Sequence, residues 1–209
     1  MLEIHHAPNT RGFRAIWLCE ELSLPYRVVA VPMAGAYRTS PEWRRMNPVG
    51  KLPVMVDDTL VMFESGAMVQ YLLDRYGNGN LQPASGSPAH GHYLQWSWFA
   101  EATYARPLGE IVNHRRACPG AEVPAAIAEM KARAASCAAA VDQALQGRAF
   151  LLGESFTAAD IMMGYTLRIH QLLASDVPLP PNLARYWASL TQRPAYQAAD
   201  KADQGAAPV

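Results

Sequence analysis

Every convincing strand pattern in this 209-residue chain lies before residue 64, and no convincing strand follows residue 88. Two differently built parts are therefore expected. In the first, Leu2–His6 and Tyr26–Val31 are short apolar or β-branched runs, and Thr10–Leu22 between them spaces Phe13, Ile16, Trp17 and Cys19 as one helix face would. A stretch marked by Pro and Gly follows. Then come Leu52–Asp57 and Leu60–Phe63, separated only by Asp58-Thr59, the spacing of a tight antiparallel hairpin. A helix closes the series: Ser65 is its expected N-cap, Met68, Val69, Leu72, Leu73 and Tyr76 its apolar stripe, and Gly77 its C′ stop.

The order β-α-β, connection, β-β-α over residues 1–78 is that of a small thioredoxin-like sheet carrying helices. Residues 79–88, rich in Gly, Ser, Asn and Pro, read as an interdomain linker. Residues 89–209 read as an all-helical domain, so the fold class is α/β plus all-α. Its helices are expected at His90–His114, Pro124–Gln146, Thr157–Leu173 and Pro181–Leu190, with a last one opening near Pro194. The Ala-rich stretch is one helix, because Ile127, Met130, Ala134, Cys137, Val141 and Leu145 repeat at three and four residues. In Phe156-Thr157-Ala158-Ala159-Asp160-Ile161, Thr157 and Asp160 form a capping box and Phe156 and Ile161 a hydrophobic staple, a structural role.

Composition narrows the partners. Half the residues are hydrophobic, enough for a proper core, and 18 basic side chains cancel 18 acidic ones. No chain-wide field draws the protein to nucleic acid or an anionic membrane, which leaves a small molecule or another protein. Met1–Ala7 lacks the apolar run of a signal peptide, and no stretch reaches transmembrane length. Three widely spaced cysteines, Cys19, Cys118 and Cys137, form no CxxC pair and suit a reducing compartment, so a cytoplasmic location is expected. No metal is expected: His5 and His6 are neighbours that a strand points to opposite faces, with no clustered carboxylate partner.

Two local motifs could carry chemistry. Pro53 opens what otherwise reads as a strand, where a cis Leu52-Pro53 bond would turn the backbone of Leu52 outward to pair with an extended, peptide-like ligand. Eleven residues later Glu64-Ser65 opens a helix, whose N–H groups and Ser65 hydroxyl suit a carboxylate while Glu64 suits an ammonium group. Taken singly, a turn proline and a capped helix are the commoner readings. Together they fit an α-amino acid head beside an extended peptide.

Five ordered segments resemble those of cytosolic glutathione transferases along essentially the whole chain: His6-Ala7-Pro8-Asn9-Thr10-Arg11, "WLCEELSLPY" from Trp17, "NPVGKLPVM" from Asn47, "FESGAMVQYLLDRY" from Phe63, and "FTAADI". The resemblance implies a two-domain homodimer with glutathione as co-substrate on the N-terminal domain and a hydrophobic electrophile held against the helical one. By motif, Leu52 beside Pro53 would pair with the cysteinyl unit, Glu64 and Ser65 would hold the γ-glutamyl group, and Lys51 could meet the glycine carboxylate. Thr10, at the position of the serine in bacterial and fungal members, would be the hydroxyl donor to the thiolate, with Asn9 second. No tyrosine stands in the first strand or the following loop, and Cys19 falls mid-helix, which argues against the tyrosine- and cysteine-type classes. The serine-cysteine repeat of maleylacetoacetate isomerases is likewise missing.

In that family the electrophile faces the start of the helical domain, here Trp96, Trp98, Phe99, Tyr104, His114 and Arg115. The last three are the candidate pocket residues. The aromatics recur at near-helical spacing, so many should be core or interface. The leading function is glutathione transfer to a hydrophobic electrophile. Its alternatives are a glutathione-dependent disulfide reductase or peroxidase on the same fold, and a non-catalytic ligand- or protein-binding member.

Overall fold

A computed structural model describes residues 1–33 and 35–206, which cluster into two compact units, Met1–Asn80 with Thr191 onward, and Leu81–Leu190. The first unit begins with β1 (Leu2–His6), α1 (Phe13–Glu21) and β2 (Tyr26–Ala30), then α2 (Gly35–Thr39) and α3 (Pro41–Met46). It continues with β3 (Val54–Asp57), β4 (Leu60–Phe63) and α4 (Ser65–Tyr76). The sheet order is β2-β1-β3-β4; β1 runs parallel to β2 and antiparallel to β3, and β3 pairs antiparallel with β4. This is the expected thioredoxin-like arrangement. The period-2 alternation of β1 buries Leu2, Ile4 and His6 and leaves Glu3 and His5 half-exposed.

Three local expectations are corrected. α1 opens at Phe13 rather than Thr10, because a separate turn occupies residues 7–10. Ser65 is the first helical residue of α4, and Glu64 takes the cap position without a side-chain capping bond. Gly77 is right-handed, with φ −75°, and the left-handed turn falls on Asn78, at φ 48°. The Pro- and Gly-marked connection contains α2 and α3. Ser40 caps α3 by accepting from Trp43 N at 3.2 Å, and Trp43 packs with Val31 and Val54.

The second unit holds α5 (Pro88–Trp98), a π-helical segment (Phe99–Tyr104), α6 (Ala105–Ala117), α7 (Pro124–Ala144), α8 (Ala158–Leu173) and α9 (Pro181–Thr191). In the π-helical segment the Ala100 carbonyl accepts from Ala105 N, five residues on, and from the Thr166 hydroxyl at 3.0 Å. α8 is buried from Ala158 to Leu167 and packs on α5 and α6. The capping box forms as expected and reaches further. Asp160 accepts from Thr157 N at 2.8 Å, Leu151 N at 3.0 Å and the Tyr186 hydroxyl at 2.8 Å, so one carboxylate ties three segments.

The last helix, α10 (Pro194–Gly205), falls in sequence within the expected helical domain, yet by its contacts it belongs to the first unit and packs along α1. Tyr196 sets its ring edge-on to Phe13 and Trp17 at 5.3 and 5.0 Å, and Arg193 makes a two-pronged ion pair with Glu21 at 2.7 Å. Residues 207–209 of the expected helical domain lie outside the described residues. Among the described residues no helix is long and apolar enough to cross a membrane.

Candidate functional site

The stretch Ala7-Pro8-Asn9-Thr10 is a β-turn closed by Thr10 N donating to Ala7 O at 3.1 Å. Proline in the second position and Asn9 at φ 61° in the third are the residue types that a type II turn requires. The turn lifts Thr10 out of the helix and leaves its side chain half-exposed at the end of β1. Its hydroxyl lies 2.8 Å from Ala7 O and 3.0 Å from His6 Nδ1. Behind it, His6 Nε2 lies 2.8 Å from Asp203 Oδ1 of α10, with both side chains fully buried. The same carboxylate accepts from Asn9 N at 3.1 and 3.3 Å, so it fixes the turn as well as the ring.

Gly12 explains how the ring fits. A Cβ there would stand 2.4 Å from His6 Nδ1 and 3.2 Å from Pro53 Cβ, so the bare backbone slots between the imidazole and the second motif. That motif has the expected cis Leu52-Pro53 bond. The loop leading to it is pinned by Asn47, whose Nδ2 donates to Lys51 O at 3.0 Å and whose Oδ1 accepts from Val49 N at 3.1 Å. Gly50 completes the loop at φ 65°, where a Cβ would meet Arg38 O at 2.6 Å. Lys51 is exposed, Leu52 half-buried and Pro53 buried.

The third motif also returns to α1. Ser65 is buried, and its Oγ accepts from Nη1 of the fully buried Arg14 at 3.2 Å. That bond occupies the hydroxyl oxygen and leaves the hydroxyl proton for an outside acceptor. Glu64 is exposed and held at φ 76°, ψ 103°, a conformation that costs about 1–3 kcal/mol for a residue with a side chain. The start of α1 therefore ties together the Thr10 turn, Pro53 and Ser65.

The helical-unit candidates stand differently. Tyr104 is fully buried, its hydroxyl 2.9 Å from His170 Nδ1, and burial pushes its ionisation well up. His114 is half-buried, and its Nε2 accepts from Val123 N at 2.9 Å, which secures the loop after α6. Arg115 is exposed and borders an open hollow of about 430 Å³ with Ile127, Lys131 and Asp176. The structure does not gather these three side chains on one another. Cys19 is packed as an apolar residue in α1, its thiol pushed up to about 12 by burial, and Cys118 and Cys137 are also free. Among the described residues no group of three metal-ligating side chains forms.

Sequence reasoning missed four residues here: His6, Gly12, Arg14 and Asp203. His6 was correctly turned away from His5, but its carboxylate partner lies 197 residues on. The Pro8-Asn9 pair did carry a legible turn signal.

Residues 8–83 match the family "Glutathione S-transferase, N-terminal domain" and residues 124–188 match "Glutathione S-transferase, C-terminal domain". The chain is 27% identical to glutathione S-transferase 3 of Schizosaccharomyces pombe, over 97% of this chain and 88% of the relative. It is 26% identical to the disulfide-bond oxidoreductase YfcG of Escherichia coli, over 93% and 92% of the two chains. It also superposes with a TM-score of 0.84 on the theta class glutathione S-transferase of Xanthomonas axonopodis pv. citri, solved with glutathione bound, at 27% identity over 95% and 96% of the two chains. With both domain matches in chain order on a thioredoxin-like sheet followed by helices, this chain belongs to the glutathione S-transferase family.

Proposed function

We propose that this protein is a serine/threonine-type glutathione transferase that holds glutathione on its first unit and activates the thiol at Thr10 for attack on a hydrophobic electrophile. The observation that supports the reading is the start of α1, where Gly12 lies against His6 and Pro53 and Arg14 donates to Ser65, so that the Thr10 turn, the cis-proline segment and the start of α4 share one support. Ser65 and the N–H groups of α4 receive the γ-glutamyl carboxylate at the positive end of a 12-residue helix, and Glu64 pairs with its ammonium group. Leu52, beside the cis proline, pairs its backbone with the cysteinyl unit, and exposed Lys51 meets the glycine carboxylate. The thiol then lies at the Thr10 turn. A hydroxyl donor there stabilises thiolate over thiol, and each unit by which the thiol pKa falls corresponds to about 1.4 kcal/mol. Asn9, exposed beside it, is the second donor.

The candidate electrophile residues belong to the helical unit, with Arg115 exposed and Tyr104 and His114 already engaged by protein partners. A homodimer and a cytoplasmic location complete the reading. Immobilised glutathione should retain the protein. Thr10→Val should lower conjugation of a chlorinated aromatic about 10²-fold, the scale of losing one donor to a developing anion, with retention intact. Undiminished turnover removes Thr10 from the role.

A glutathione-dependent disulfide reductase is a second reading, favoured by the likeness to YfcG. The same thiolate would attack a disulfide sulfur instead of carbon. Paired assays with the chlorinated aromatic and a mixed disulfide separate the two by which substrate turns over.

A further inference from the structure

Thr10 does not stand alone: its hydroxyl is the outermost member of a buried chain, Thr10 to His6 to Asp203, drawn from a turn, a strand and the last helix. The hydrogen-bond arithmetic gives the chain a direction. Asp203 already accepts from Asn9 N and from Gln204 Nε2, so its carboxylate acts as an acceptor and His6 Nε2 supplies the proton between them. With Nε2 protonated, a neutral His6 has its lone pair on Nδ1, which points at the Thr10 hydroxyl 3.0 Å away. That single hydroxyl proton has two competing acceptors, His6 Nδ1 and Ala7 O. Thr10 is half-exposed, whereas the two groups behind it are sealed from solvent.

From this geometry we infer that His6 and Asp203 are positioning residues that let Thr10 take the thiol proton and store it inside the protein. The inference rests on the reading that Thr10 meets the glutathione sulfur. As the S–H bond breaks, its proton passes to Thr10 Oγ1, the proton of Thr10 passes to His6 Nδ1, and the electron pair stays on sulfur. A neutral thiol and a neutral imidazole become a thiolate and an imidazolium, and Thr10 ends with one proton, now donated to the sulfur. His6 Nδ1–H then donates to Thr10 Oγ1, and the Asp203 carboxylate balances the new charge where water cannot. The reverse passage returns a proton to a carbanion formed when thiolate adds to an activated double bond.

The other groups around the ring do not take this role. Gly12 and Pro53 carry no charge, and Arg14 of α1, which donates to Ser65, is a fixed cation that cannot take up a proton. His5 lies on the opposite face of β1, Arg27 of β2 pairs with Glu3, and Asp200 of α10 is only half-buried.

The test is the pKa of glutathione's own thiol when bound, read from thiolate ultraviolet absorbance across pH in the wild type, Asp203→Asn, Thr10→Val and the double variant. Asp203→Asn keeps the shape and an acceptor oxygen but removes the charge. It should raise the bound thiol pKa by about one unit, a tenfold loss of thiolate at neutral pH, with glutathione affinity at high pH unchanged. Thr10→Val should raise it at least as far, and adding Asp203→Asn to it should have no further effect. If Thr10→Val raises the thiol pKa and Asp203→Asn does not, the relay falls and the role of Thr10 stands, even where Asp203→Asn lowers melting temperature or affinity. If Thr10→Val leaves it unchanged, both fall. Nitrogen-15 NMR of the wild-type imidazoles is free of any folding defect in the variants. His6 should pass from one protonated nitrogen to two on glutathione addition at pH 7, and a ring that stays neutral overturns the inference.

Discussion

Each unit buries one histidine with a hydroxyl on Nδ1, and the two differ in what lies behind Nε2. His6 has Thr10 at 3.0 Å in front and the Asp203 carboxylate at 2.8 Å behind; His170 has Tyr104 at 2.9 Å in front and the Val177 carbonyl at 2.9 Å behind. A carbonyl fixes the tautomer and offers a dipole, whereas a carboxylate offers a full charge. Burial accordingly holds His170 below the ordinary imidazole range, against the opposing pull of Val177 O and Asp176. Its hydroxyl partner is sealed in the core, while that of His6 reaches solvent. The same three-group motif thus serves as a neutral strut in one unit and sits at a candidate reaction site in the other.

The comparison can be broken or sharpened, starting where the effect is largest. Asp160→Ala removes the carboxylate serving Leu151, Thr157 and Tyr186 and should cost about 3 kcal/mol or more, read by denaturant unfolding. Gly12→Ala drives a methyl group into His6 and should cost about 1–3 kcal/mol together with most glutathione activity, measured by turnover beside melting temperature. Tyr104→Phe should cost about 1–2 kcal/mol and leave the pH profile of conjugation unmoved, because His170 serves packing alone.

His170 also predicts a slope. Its folded pKa lies below the unfolded value near 6.5, so the unfolded chain binds the proton first. Its stability contribution is complete above that value and declines as pH falls below it. Denaturant midpoints between pH 7 and 5 should show the loss, and His170→Asn should flatten it. The smallest effect is a gain: Gly109→Ala in α6, where a Cβ meets nothing within 4 Å, should add about 0.5–1 kcal/mol.

What was legible in the sequence was what rests on local periodicity. The four strands, the hairpin at Asp58-Thr59, the long helices and the Thr157–Asp160 box follow from spacing within a few residues. The short helices α2 and α3 bury only Trp43, too little to print a period. At the site, Leu52-Pro53 and Glu64-Ser65 were visible because proline and a helix start are local chemistry. Thr10 was read as opening the helix, because a threonine before an apolar run looks like a cap; the Pro8-Asn9 turn overrides it. Arg14 belies the usual exposure of arginine, and nothing local distinguishes Asp203 from Asp200, the other acid of α10.

The return of α10 to the first unit has a consequence for biosynthesis. His6 leaves the ribosome 197 residues ahead of Asp203, an interval of roughly 10–40 s at 5–20 residues per second. Through that time the sheet can pair its strands, yet the imidazole has no carboxylate, Asn9 N has lost its acceptor, and Phe13 and Trp17 await Tyr196. The nascent N-terminal segment can therefore close the Thr10 turn but not anchor it: the carboxylate behind His6 and Asn9 N is supplied only when the last helix arrives.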